Sequence, residues 1–241
     1  MKAVIVQPAY LPYMGYFNLI DCADIFVYLD DVQFNRRAWQ HRNRIKIPNG
    51  DFTWITVPVV KDHGQEIREV AIRDDENWQE SHWKGIEHSY GGCEHFESYA
   101  DDVRDVLCRD WNSLFDLDVT LLDTFQNLLG LHDTEFRYSS ELDVTGQKTD
   151  LLIDILDSLG ADEYISGPTA KDYIQREQFN EKGIELYWHE FDHPDYSQPH
   201  GEFVSHLTIL DSLFSMGEET IELVRAGGNE ALELDPVTAS T

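Results

Sequence analysis

Lysine and arginine are scarce in this chain, 18 against 46 Asp and Glu in 241 residues, which gives a formal net charge of −28. A broad basic surface is therefore excluded. Nucleic acid is not an expected partner, because phosphate would meet repulsion over most of the molecule. Cysteine is scarce too. Cys22, Cys93 and Cys108 form no C-x-x-C pair, and an odd count in a chain of this size does not suggest a disulfide framework, so a reducing compartment is expected. No apolar run approaches the ~20 residues that a membrane-crossing helix needs, and the one inside MKAVIVQPAYLPY is too short for a signal-peptide core. These absences predict a cytoplasmic protein with no membrane span. G-x-G-x-x-G, G-x-x-x-x-G-K-S/T and G-x-S-x-G are all missing, so the dinucleotide, P-loop and nucleophile-elbow readings lack their backbone cradles.

What is present suffices for a large core, with 41% hydrophobic residues. A pI near 4.4 at ordinary aromatic content fits a protein adapted to a salt-accumulating cytoplasm, where excess carboxylate keeps a folded surface hydrated. Disorder would show fewer apolar residues. No repeat or low-complexity linker divides the chain. One domain is expected over residues 1–230, with a helical insertion at about 76–131 and a flexible acidic tail at 231–241.

Short apolar runs alternate with helical patterns, which predicts an α/β fold: a mostly parallel, Rossmann-like sheet with a β-hairpin and a helical insertion or cap. Strands are expected at Ala3 to Val6, Ile25 to Tyr28, Phe136 to Tyr138, Tyr164-Ile165 and Ile184 to Trp188. Helices are expected at Gly15 to Cys22, through most of Trp78 to Leu131, along the Leu151-Leu152-Ile155-Leu156-Leu159 face, and at Ala170 to Asn180. PNGD at Pro48 to Asp51, between two β-patterned runs, marks the hairpin.

The charge is also segregated. Arg36 to Lys46 (RRAWQHRNRIK) holds five of the 18 basic residues, and no Asp or Glu occurs from Val32 to Asn49. Such an island in a negative field attracts anionic groups. Strand period places Arg42, Arg44 and Lys46 on one face and Asn43, Ile45 and Ile47 on the other, so three cations could line a surface together; charge protection of an edge strand is the competing explanation.

His189 to His193 satisfies the letters H-E-x-x-H, but it follows a strand-like run and precedes Pro194. Two histidines four apart on an extended chain lie roughly 13 Å from each other, too far for one zinc. No metal site is expected. Asp30-Asp31 after a strand could hold a divalent cation with a phosphate, although adjacent aspartates are common in so acidic a chain. Two strand-end loops suit ligand contact: Gln7 to Tyr13, stiffened by prolines, and Ser166-Gly167-Pro168-Thr169, with hydroxyls and amides before a helix. Ordinary turn and cap chemistry accounts for both equally well.

Together the segments QPAYLPYMGYF (Gln7 to Phe17), DIFVYLDDVQFNRRAWQHRNRIK (Asp24 to Lys46), WITVPV (Trp54 to Val59), YISGPTAKDYI (Tyr164 to Ile174) and HPDYSQPHGEFVSHLTILDSLFSMG (His193 to Gly217) resemble the WbqC-like family, found with surface-polysaccharide and O-antigen biosynthesis genes. The resemblance implies an enzyme of surface-glycan assembly that binds an anionic activated substrate, such as a nucleotide sugar or acyl donor, and modifies a sugar. It suggests Gln7, Tyr10, Tyr16, Arg37, Arg42, Asn43, Lys46, Ser166, Lys171, Tyr173, Tyr196 and Gln198 for substrate binding. His193 and Asp31 are its catalytic candidates, His193 because an ordinary imidazole titrates near neutrality. No cofactor is identified.

A fainter similarity links Tyr13-Met14-Gly15-Tyr16 and Ile165 to Lys171 to the phosphate-binding segments of nucleotidylyl-transferase-like enzymes. Tyrosines here replace the histidines of that pattern, which puts ordinary adenylyl transfer in doubt. A nucleotide-dependent ligase or nucleotidylyl transferase is therefore one alternative. The other is a noncatalytic scaffold of a glycan-assembly complex that uses the basic island with Trp39 and Trp54.

Overall fold

The structure, a computed structural model, describes residues 1–36, 38–60, 62–73, 77–167, 170–171 and 174–228. Arg37, Pro168, Thr169, Tyr173 and the 231–241 tail fall outside these residues.

Five parallel strands form the central sheet: β1 (Lys2–Val6), β2 (Ile25–Tyr28), β5 (Glu135–Tyr138), β6 (Glu163–Ser166) and β7 (Glu185–Trp188), in the order β5-β2-β1-β6-β7. A separate antiparallel pair, β3 (Arg42–Lys46) and β4 (Phe52–Thr56), is the hairpin expected around Pro48 to Asp51, with Arg44 opposite Trp54 and Lys46 opposite Phe52. Gly50 closes its turn at φ 89°, a conformation that glycine adopts without a Cβ clash.

Strand alternation gives the sheet two apolar faces, so helices cover both. Val4, Phe26, Ile165 and Tyr187 belong to one core with α1 (Met14–Asp21), α2 (Trp78–Tyr90), α3 (Phe96–Leu107), α4 (Leu114–Leu129), α7 (Ile209–Met216) and α8 (Thr220–Gly227). Ala3, Ile5, Ile25, Val27, Tyr164 and Leu186 belong to the other, against α5 (Thr149–Leu159) and Phe179 of α6 (Arg176–Glu181). Helices α4 and α5 stop at Gly130 and Gly160, both in the left-handed conformation that ends helices.

Two expectations need correction. The helix placed at Ala170 to Asn180 is interrupted: Ala170 and Lys171 lie in a 3-10 turn, Gln175 is extended with its amide turned to Thr149 Oγ1 on α5, and α6 begins at Arg176. The cationic face of β3 is also incomplete. Lys46 is wholly buried, because α7 and the 193–206 loop close over that end of the strand.

The order of strands fixes where a ligand can enter. From β1 the chain leaves through α1 to β2 on one side of the sheet, whereas from β6 it leaves through α6 to β7 on the other. The connections therefore diverge between β1 and β6. A crevice opens at the carboxyl ends of the strands at such a switch point, and open α/β sheets bind their ligands there.

Candidate functional site

A cleft of about 550 Å³ occupies that crevice. It is lined by the end of β1 and the following turn, with Ile5, Val6, Gln7, Pro8 and Ala9, by Ser166 at the end of β6 with Gly167 and Ala170 beyond it, and by Trp39, Gln40, Asn43 and His206. Helix α1 begins at the edge. Its N-cap Tyr13 and the following Tyr16 both line the cleft, and Tyr13 makes no side-chain cap bond, so the positive end of the helix dipole is uncapped beside the site. Gly15 matters here because a Cβ would come within 2.5 Å of the Tyr13 ring, so its absence lets the ring fold over the first turn of α1.

The polar lining is held in place by neighbours. Gln40 Nε2 donates to Gln7 Oε1 at 2.7 Å while its own Oε1 accepts the Asn35 amide at 2.9 Å. Tyr16 donates to the Gln7 carbonyl at 3.2 Å, and burial pushes its phenol well above the ordinary range. Asn43 reaches from β3 to donate to the carbonyls of Tyr10 (3.2 Å) and Leu11 (2.7 Å). Leu11 has φ 45°, a left-handed backbone that a branched side chain disfavours, so Asn43 secures a strained loop as well as lining the site. Gly167 has open space where a Cβ would be, and Ser166 is buried at the end of β6.

Of the residues singled out from the sequence, Gln7, Tyr16, Asn43 and Ser166 converge on this cleft. The others lie elsewhere. Tyr10 is buried with its hydroxyl 2.8 Å from His82 Nδ1. The Arg42 guanidinium lies over the Trp54 ring at 4.4 Å. Lys171 pairs with Glu190 at 3.3 Å and faces the Trp188 ring. Lys46 donates to Gln198 Oε1 (2.9 Å) and to the Glu202 carbonyl (2.6 Å); Gln198 in turn reaches Tyr196, whose hydroxyl donates to Asp211 at 2.6 Å. These last residues form a buried polar network in which burial raises Asp211, opposed by hydrogen bonds from Tyr196 and Tyr90 and by the Lys46 charge. Arg37 and Tyr173 lie outside the described residues.

Asp31 stands beyond the end of β2, within bonding distance of the Ser139 hydroxyl, which also lies 2.9 Å from Asp30 Oδ1. One hydroxyl proton serves one carboxylate at a time. Asp30 additionally accepts from the Ser140 amide (3.0 Å) and hydroxyl (2.6 Å), which staples the ends of β2 and β5 together. His189 and His193 turn to separate partners: His189 Nε2 lies 2.7 Å from Asn18 Oδ1, and His193 Nδ1 lies 3.1 Å from its neighbour's carbonyl at Pro194. Burial lowers His189 to about 4 and depresses His193 as well.

His206 is the imidazole that does reach the cleft, and the sequence reading missed it. Its ring packs 5.3 Å from Tyr13 and 5.2 Å from His193, and burial, then the Arg44 charge, lowers its pKa. Its backbone has φ 58° and its carbonyl accepts from Arg44 at 2.9 Å. Gln40 and Tyr164 were missed too. The 189–206 stretch has no periodic element to orient a reader, so nothing in its pattern separates His206 from its neighbours. Among the described residues, no Lys or Arg lines the cleft.

The arrangement suits a ligand with a flat or apolar body and a few hydrogen-bonding groups, its anionic part placed toward the start of α1. A family model described as the WbqC-like protein family matches residues 7–223. Uncharacterized protein Rv1507c of Mycobacterium tuberculosis is 37% identical over 228 residues, 93% of this chain and 97% of the relative. No solved structure matches the chain.

Proposed function

The chain belongs to the WbqC-like protein family, and from that premise we propose that it is an enzyme of surface-glycan assembly that holds an anionic activated substrate, a nucleotide sugar or acyl donor, in the β1–β6 cleft and modifies a sugar. The observation that carries this reading is the cleft's position at the switch point of a parallel sheet, with the uncapped start of α1 beside it. Gln7, Gln40, Asn43 and Ser166 would orient the ligand, and Tyr13 and Tyr16 would donate to its phosphate or carboxylate oxygens. His206 is better placed than His193 to move a proton, since it alone of the two lines the cleft.

A second reading, a nucleotide-dependent ligase or nucleotidylyl transferase, gains from one observation. The two segments that resemble such enzymes meet at this cleft, through Tyr13 and Tyr16 on one side and Ser166 and Gly167 on the other. Release of pyrophosphate or phosphate from ATP with candidate substrates separates this reading from the first.

Thermal melting in molar KCl across nucleotides, nucleotide sugars and acyl-coenzyme A compounds tests the leading reading. A ligand that binds only the folded state raises the melting temperature with its saturation. The expected result is a shift with at least one activated donor, and no shift from any compound at millimolar concentration counts against it.

A further inference from the structure

Beside the cleft, the cationic face of the hairpin carries an exposed aromatic shelf. Among the described residues four large hydrophobic side chains are exposed, and two of them, Trp39 at 46% and Trp54 at 42%, touch each other with centroids 5.3 Å apart and planes inclined at 35°. Adjacent solvent-facing indoles forgo burial that a purely structural pair would take, and such patches mark binding surfaces. Arginines hold the shelf. Arg42 lies over Trp54 at 4.4 Å, and Arg44 lies 5.5 Å from the Trp39 centroid, 5.9 Å from Trp54 and 4.8 Å from Phe52. The exposed Arg36 lies nearby in the chain, in the stretch from Val32 to Asn49 that contains no carboxylate side chain. Trp39 also lines the cleft, so shelf and cleft are continuous.

We infer that this shelf is a subsite for an anionic sugar ring, stacked on Trp39 and Trp54 with its carboxylate or phosphate turned toward the arginines. The shelf is one-sided. Because the indoles contact each other, no slot separates them for a nucleobase to enter between two faces. A pyranose presents a flat face of C–H bonds to the ring π-systems and keeps its hydroxylated rim in water. Charge then selects among sugars: in a molecule of net charge −28 an anionic ring is drawn to this one positive stretch, whereas a neutral ring gains stacking alone. The inference rests on the proposed function only for which reactant carries the sugar.

The test is titration of 15N-labelled protein, at the lowest KCl that preserves its melting transition, with glucuronate, glucose 1-phosphate, glucose, uridine and inorganic phosphate. The indole N–H signals of Trp39 and Trp54 report binding, assigned with Trp39→Phe and Trp54→Phe. Glucuronate and glucose 1-phosphate should shift both signals saturably, at least tenfold more tightly than glucose, and Trp54→Ala should weaken them tenfold or more with its fold confirmed by an unchanged amide spectrum. If Trp54→Ala fails to fold, Trp54→Leu takes its place. Silence from both anionic sugars overturns the inference, as does equal binding of glucose, or of uridine, or of phosphate with no sugar. A shelf response retained while no donor stabilises the protein removes the cleft reading and leaves the shelf standing.

Discussion

Asn43 shows how one side chain can support a loop and line a site at once. Its amide donates to the carbonyls of Tyr10 and Leu11, the latter in a left-handed backbone conformation. Removing it leaves buried carbonyls without donors, at about 1–3 kcal/mol. Asn43→Ala should lower stability by that amount in urea unfolding, and an unchanged midpoint would show that the loop holds its own shape. Asp118 presents the opposite case. It is fully buried on α4, and neither carboxylate oxygen has a hydrogen-bond partner among the described residues. Burial raises its pKa well above the ordinary 3.8, so the folded state keeps a proton that the unfolded state releases. Stability from this group is greatest below the unfolded pKa and declines as pH rises toward the folded value. Asp118→Leu should therefore be more stable than wild type near neutrality, with the advantage shrinking as pH falls toward 4; urea melts at several pH values measure it, and a pH-independent loss of stability would contradict it.

Among the elements, the five strands of the central sheet and the hairpin were all visible in the sequence, and the hairpin also shows what it concealed. Strand period and the Pro48 to Asp51 turn located β3 and β4 because both signals are local. Burial of Lys46 was not legible, since it depends on Asp211, Gln198 and the Glu202 carbonyl, more than 150 residues away in the chain. Separation in the chain likewise explains why Gln7, Asn43 and Ser166 could be nominated separately while their meeting at one cleft could not be foreseen. His206 had no strand or helix pattern to mark it, and the short α6 was overextended because Gln175 takes its partner from α5. The Lys46 network also yields a prediction. Lys46→Met leaves the Gln198 amide oxygen and the Glu202 carbonyl without their donor and removes a cation that favours ionised Asp211, a loss of about 1–3 kcal/mol. Faster amide exchange confined to the 193–206 loop and α7 is the expected signature, and unchanged exchange there would mean that the loop does not depend on Lys46.

The whole molecule combines a sheet buried on both faces with a surface of one dominant sign. At net charge −28 its carboxylates repel one another, and added salt screens that repulsion over a Debye length that falls from ~10 Å at 0.1 M to ~3 Å at 1 M. The melting temperature should climb between 0.1 and 2 M KCl; a flat or falling curve would detach the acidity from any salt adaptation.

Gly167 lines the cleft between β1 and β6 and gives direct access to it. A Cβ there would meet no atom within 4 Å, so Gly167→Leu should add apolar bulk to the cleft at little cost to the backbone. Calorimetric titration of the best stabilising donor into wild type and Gly167→Leu, at one KCl concentration, should give one site per chain in the former. In the variant the affinity should be at least tenfold weaker at an unchanged melting temperature. Equal affinity and equal heat in the two proteins would place the ligand elsewhere and contradict the assignment of this cleft.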